Sequence, residues 1–203
     1  MILRPPRSFS TTRLPIELEL GGRKRKVQTA SAVLCYSRMM FFQCYPTFRR
    51  FDCKVFLTEA LRYFGGAAAR TMIDNTHVVV LRGSGRDMVP VPEMAAFGER
   101  YGFQFVAHAI GNANRSARVE RPFWFIETNF LAGRTFSSWE NLNQRAREWC
   151  DKVQLDLQET HPRDSAGAVR GRAAASEAAA VVDSGSLPAA AAAGRYRRVC
   201  RAE

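Results

Sequence analysis

The chain has 203 residues, of which 46% are hydrophobic, enough for one cored domain with residues to spare. Its formal charge of +11 and pI near 10.1 favour an anionic partner, either nucleic acid or an anionic membrane surface. No run approaches the roughly 18 to 20 apolar residues of a spanning helix, and residues 1–13 lack the apolar centre of a signal peptide, so the membrane reading falls and the expected compartment is cytoplasmic.

Residues 1–13 are basic, rich in Ser, Thr and Pro, and without periodicity, so residues 1–15 read as a disordered or degenerate lead-in. Ile16-Glu17-Leu18-Glu19-Leu20 then alternates apolar and charged side chains, Gly21-Gly22 supplies a tight turn, and residues 24–36 are again strand-like, which predicts a β-hairpin. The basic cluster Arg23, Lys24, Arg25 and Lys26 beside that turn is either a phosphate contact or a solvated turn. Met39 to Tyr45 is aromatic and apolar enough for a third strand, closed by Pro46. From Arg50 to Phe64 the apolar residues Phe51, Val55, Ala60, Leu61 and Phe64 fall near helical spacing, and Gly65-Gly66 supplies the stop.

Arg70 to Ile73 reads as a short strand ending at Asp74, with an extended piece from His77 to Leu81 and a Gly83-Ser84-Gly85 loop after it. A helix over 92–101 opens on Pro92 and ends at Gly102, and Phe103 to Ala107 forms the next strand. The Gly/Asn-rich stretch after His108 is a loop that delivers the chain to Glu120. Pro122 belongs in the first turn of a helix reaching about Leu131, which sets Glu120 near a positive helix terminus that favours its ionised form. Ser137-Ser138-Trp139-Glu140 has the form of a capping box, and Leu142, Ala146, Trp149, Cys150 and Val153 mark one face of a last helix. From Gln154 onward Phe, Trp, Ile and Met are absent, and this Ala/Arg-rich tail has too little apolar surface to offset chain entropy. The domain expected is therefore 16–153, with 154–203 disordered.

Five cysteines form no Cys-x-x-Cys pair and have no histidine at zinc-like spacing, so reduced and mostly buried thiols are expected. The acids are more suggestive. Asp74 closes an apolar run, Glu120 stands alone among Arg118 and Arg121, and 45 residues separate them, room for one further strand and its connections. Two such carboxylates are suited to holding divalent ions on a phosphodiester, although unrelated surface acids have the same appearance.

The motifs Leu34-Cys35-Tyr36-Ser37-Arg38, Tyr63-Phe64-Gly65-Gly66, Ile73-Asp74-Asn75 and Val119-Glu120-Arg121-Pro122 resemble, in order, those of the IstA-like transposases of bacterial insertion sequences, over about residues 19–153. The resemblance implies an α/β, ribonuclease H-like mixed five-stranded sheet flanked by helices. It also implies a DDE-type polynucleotidyl transferase, in which three acids bind two Mg2+ or Mn2+ ions to cut and join DNA. Asp74 matches the second acid and Glu120 the third.

Where the first is expected, within Gln-His-Asp-Thr-Ser-Pro, this chain has Ser10-Thr11-Thr12-Arg13-Leu14-Pro15, and the Thr12 hydroxyl cannot replace a carboxylate bridging two dications. A one-base frameshift accounts for that string and for the Ala/Arg-rich tail. The helix-turn-helix and C-terminal domains of the family are not expected here, so the chain reads as a truncated remnant. DNA is the implied partner, through Arg23, Lys24, Arg25, Lys26, Asn75, Arg115, Arg118 and Arg121, with an IstB-like AAA+ ATPase and other transposase subunits beside it. Three readings stay open: an active core using Glu17 or Glu19 as substitute first acid, a catalytically dead fragment that binds DNA or transposase subunits, and a gene without a selected role.

Overall fold

The computed structural model describes residues 7–11, 15–35, 37–74, 76–107 and 122–160. Its first strand, β1 (Arg7–Thr11), lies in the middle of the sheet, although one Phe among polar and basic residues gives no strand pattern and the sequence leaves this stretch as lead-in. Neighbours on both sides supply the pairing that composition does not announce. β1 runs antiparallel to β3 (Arg23–Leu34) through Arg7↔Leu34 to Thr11↔Ala30, and parallel to β5 (Arg70–Ile73) through Arg7↔Thr71 to Phe9↔Ile73.

β2 (Ile16–Leu20) and the first half of β3 form the predicted hairpin on Gly21-Gly22, both at positive φ. β4 (Met40–Tyr45) pairs antiparallel with β3, and β8 (Gln104–Ala107) pairs parallel with β5 up to Ile73↔Ala107. The central sheet therefore reads β4-β3-β1-β5-β8, antiparallel through its first three strands and parallel through its last. β2 extends it past the end of β1, and β9 (Thr135–Phe136) adds to β2. A two-stranded ribbon, β6 (Val80–Arg82) and β7 (Val89–Pro90), stands apart.

Helices cover both faces, and β4 shows why. Phe41 stacks on Phe56 and Tyr63 of α1 (Arg50–Phe64), while Phe42 on the opposite face meets Phe130 and Trp149. Both phenylalanines are fully buried, as strand alternation with a helix on each side requires. α1 buries Cys53, Phe56, Leu57, Ala60, Leu61 and Phe64, whereas Phe51, assigned to the core stripe from spacing, is 37% exposed. It ends on Gly65 at φ 69°, where Gly66 N donates to the Leu61 carbonyl at 2.9 Å. α2 (Pro92–Arg100) lies beside it, joined by Lys54–Glu93 and Arg50–Glu93 ion pairs. The Lys54 hydrogen bond holds the Glu93 carboxyl below the usual carboxylate range, but the pair is too exposed to contribute much stability.

On the other face, α3 over 122–131 starts on Pro122 as expected and changes to π winding at Glu127–Leu131. α4 (Trp139–Thr160) opens on Ser138, whose hydroxyl accepts from Asn141 N at 3.1 Å. The cap thus sits one residue later than the Ser137/Glu140 box read from sequence. The helix continues seven residues past Val153, into the stretch that composition assigns to the tail, and Gln154 is buried beside Tyr63, whose hydroxyl donates to its side-chain oxygen at 3.4 Å. Residues 161–203 lie outside the described residues.

β4 is an outer strand, and Asn143 of α4 occupies its free edge. The side-chain oxygen accepts from Cys44 N at 2.7 Å, and the amide nitrogen donates to Cys44 O at 2.9 Å. One carboxamide thereby satisfies both backbone groups that a missing neighbour strand would have taken. Asn143→Ala is expected to lower unfolding free energy by about 1–3 kcal/mol, since it leaves two part-buried backbone groups without these partners; urea denaturation measures this, and a change within error would show that water replaces the amide at no cost.

Candidate carboxylate site and nucleic-acid interface

β5 delivers Asp74 because two of its four residues are fixed in the core. Thr71 and Ile73 are buried between β1 and β8, and the chain turns immediately afterwards, with Thr76 N donating to Asp74 O at 2.6 Å and Val80 N to Thr76 O at 2.8 Å. Asp74 is half-buried at the carboxyl end of the parallel strands, the end at which open α/β sheets place their ligands. β8 ends at the same rim, since Ile73 pairs with Ala107, and there the chain enters residues 108–121. Arg50, in the first turn of α1, reaches the turn after Asp74, its Nε donating to the Val78 carbonyl at 3.3 Å. Sequence reading passed over Arg50, and no spacing signal marks it, because the contact joins segments 28 residues apart.

The predicted partner of Asp74 is not placed by this geometry. Glu120 lies outside the described residues, as do Thr12, Asn75, Arg115, Arg118 and Arg121. The start of α3 just after Glu120 is fixed: Phe123 and Ile126 are buried, while Trp124 is 66% exposed.

The hairpin residues fall elsewhere. Continuing the β1–β5 register by one sets Asp74 level with Ser10, which pairs with Ser31 of β3. From there the strand rise puts Lys26 about 17 Å and Arg23 about 27 Å further along β3. The register also sets Glu17 opposite Lys26 and Glu19 opposite Lys24, so each lysine has an acid as its cross-strand neighbour. The turn itself is docked, Gly21 N donating to Phe136 O at 2.8 Å. Glu17 and Glu19 are solvent-facing and lie at that same remove, which separates them from Asp74 and weighs against either as a substitute acid.

Among the described residues no group of three His, Cys, Asp or Glu side chains stands close enough to hold a metal ion. Among the described residues the rim of β5 carries one carboxylate, that of Asp74. The thiols contribute nothing here: Cys44, Cys53 and Cys150 are buried, Cys35 is exposed, all four are free, and Cys200 lies outside the described residues.

A sheet ordered β4-β3-β1-β5-β8, with α1 leading into the fourth of these strands, α2 joining the parallel pair and α3 and α4 following it, is ribonuclease H-like. No family model matches the chain. It is similar to the transposase for insertion sequence element IS640 of Shigella sonnei, 27% identical over 139 residues, spanning 68% of this chain and 44% of that protein. It is also similar to the transposase for insertion sequence element IS21 of Pseudomonas aeruginosa, again 27% identical over 139 residues, 68% of this chain and 36% of that protein. The chain thus spans less than half the length of these curated relatives. Among solved structures it resembles the HTLV-2 integrase catalytic core domain in complex with magnesium in its dimeric form, at 12% identity and a TM-score of 0.44, covering 72% of this chain and 85% of that one. Among the described residues no helix is long and apolar enough to cross a membrane.

Proposed function

We propose that the chain is the catalytic-core portion of an IstA-like insertion-sequence transposase that acts on DNA, and that this copy has lost its first catalytic acid. The observation that carries the reading is Asp74, held at the carboxyl rim of a ribonuclease H-like sheet in a chain whose relatives are transposases. In this reading Asp74 and Glu120 are the surviving acids, and magnesium or manganese would supply charge neutralisation and oxygen activation in an intact relative. Thr12 leaves that centre incomplete. What remains is DNA binding through the net positive charge, with Asn75, Arg115, Arg118 and Arg121 near Asp74 and Glu120 in sequence and Arg23 to Lys26 at an outlying contact. An IstB-like ATPase and further transposase subunits are the protein partners of this reading, and the cytoplasm, where DNA is reached directly, its compartment.

The expected result is no manganese-dependent nicking or strand transfer by the unsubstituted chain on duplex DNA. Activity that disappears in both Asp74→Asn and Glu120→Gln would overturn the loss of function and leave an active core. The frameshift origin is tested separately, by aligning the codons for residues 1–15 and 154–203 with an intact relative; an in-frame match through both junctions would end it.

A further inference from the structure

We infer that the β6–β7 ribbon is a phosphate-binding arm that guides a DNA strand towards Asp74, an inference that rests on the DNA-acting reading above. The ribbon grows out of the turn that follows Asp74. Its base is fixed by Val91 N donating to the Val79 carbonyl at 2.8 Å, and its 3-10 turn Gly85–Asp87 packs against β8, the other strand ending at this rim. Arg82 and Arg86 are exposed on it, and neither has an ion-pair partner among the described residues, in contrast to Arg50 and Lys54 with Glu93 or Arg62 with Glu59.

The turn between them is built, not slack. Gly83 has φ 76° and Gly85 φ 59°, and a Cβ on Gly83 would meet the Asp87 carbonyl oxygen at 2.2 Å, so the chain folds back on itself more closely than any side chain permits. Burial explains only one side of the ribbon: Val80 and Met88 pack against the core, while Leu81 is 58% and Val89 37% exposed. A ribbon with two exposed guanidiniums that have no ion pair among the described residues, shaped by glycines and set beside a rim carboxylate, suits a polyanion lying across that rim, because arginine forks engage phosphate oxygens whatever the base sequence.

The test is fluorescence anisotropy of the full chain with a labelled 30-base-pair duplex of arbitrary sequence across a salt series. Arg82→Gln/Arg86→Gln should make the slope of log affinity against log salt shallower by about 1.8, roughly 0.9 per phosphate contact, and each single variant by about half of that. Arg82→Lys/Arg86→Lys should keep the slope. Arg62→Gln, in the last turn of α1 and so at the opposite end of the sheet, should also keep it. Thermal melts matching the unsubstituted chain establish that the variants fold. Binding whose slope is unchanged in the double variant, or reduced equally by Arg62→Gln, overturns the inference alone; absence of DNA binding by the unsubstituted chain overturns the DNA-acting reading and the inference with it.

Discussion

Phe42→Ala is expected to lower unfolding free energy by about 3–5 kcal/mol, a large share of what a domain of this size has. Phe42 is fully buried, and its ring meets Phe130 of α3 at 5.3 Å and Trp149 of α4 at 5.7 Å, both edge-on. Phe130 in turn lies 5.6 Å from Trp149 and 5.7 Å from Phe136 of β9. Removing the Phe42 ring takes away the one partner that β4 offers to both helices in this aromatic cluster, and three fixed rings cannot collapse to fill the cavity. Urea denaturation of Phe42→Ala against Phe51→Ala separates burial from residue type, because Phe51 is 37% exposed and should cost under about 1.5 kcal/mol. Equal losses in the two variants would show that the cluster does not organise this face.

The second large effect is chemical. Cys44 of β4 and Cys150 of α4 are buried where strand and helix meet, and desolvation pushes both thiols up to about 12; burial raises Cys53 as well. The thiolate is the reactive form, so at pH 8 these three residues should be alkylated more than about a thousandfold more slowly than Cys35, reacting only through unfolding. The thiol form is stabilised by folding, so the protection persists from acid to neutral pH. It erodes as pH rises past the ordinary thiol value, because the unfolded chain then ionises its cysteines and the folded chain does not. Mass spectrometry after a timed maleimide pulse, with and without urea, reads this directly. Labelling of Cys44 at the rate of Cys35 in the folded chain would mean that α4 does not hold to β4.

Those elements were legible in the sequence to different degrees, for physical reasons. The β2–β3 hairpin, α1, α2 and α4 carry their own local signals: alternation, helical spacing, a Pro at the start and a Gly at the end. Asp74 was legible too, as the polar stop after an apolar strand. β1 was not, because a central strand flanked by two others draws its pairing from them, and Arg7 to Thr11 holds a single apolar residue. The end of α4 was missed for a related reason: composition records the loss of bulky apolar residues after Val153 but not a polar Gln154 tucked against Tyr63. At the site, residue types left Arg23 to Lys26 as either a phosphate contact or a solvated turn, and register sets them far along β3 from Asp74 with Glu17 and Glu19 facing the lysines. Pairing register is a long-range fact, and a linear pattern does not contain it.

The Asn143 carboxamide bears on how copies of this chain meet. A second molecule approaching β4 at Cys44 finds the hydrogen-bonding line already terminated, so it must evict a side chain anchored in a helix of about six turns before a backbone ladder can start. Fibre-like growth from that border is thereby discouraged.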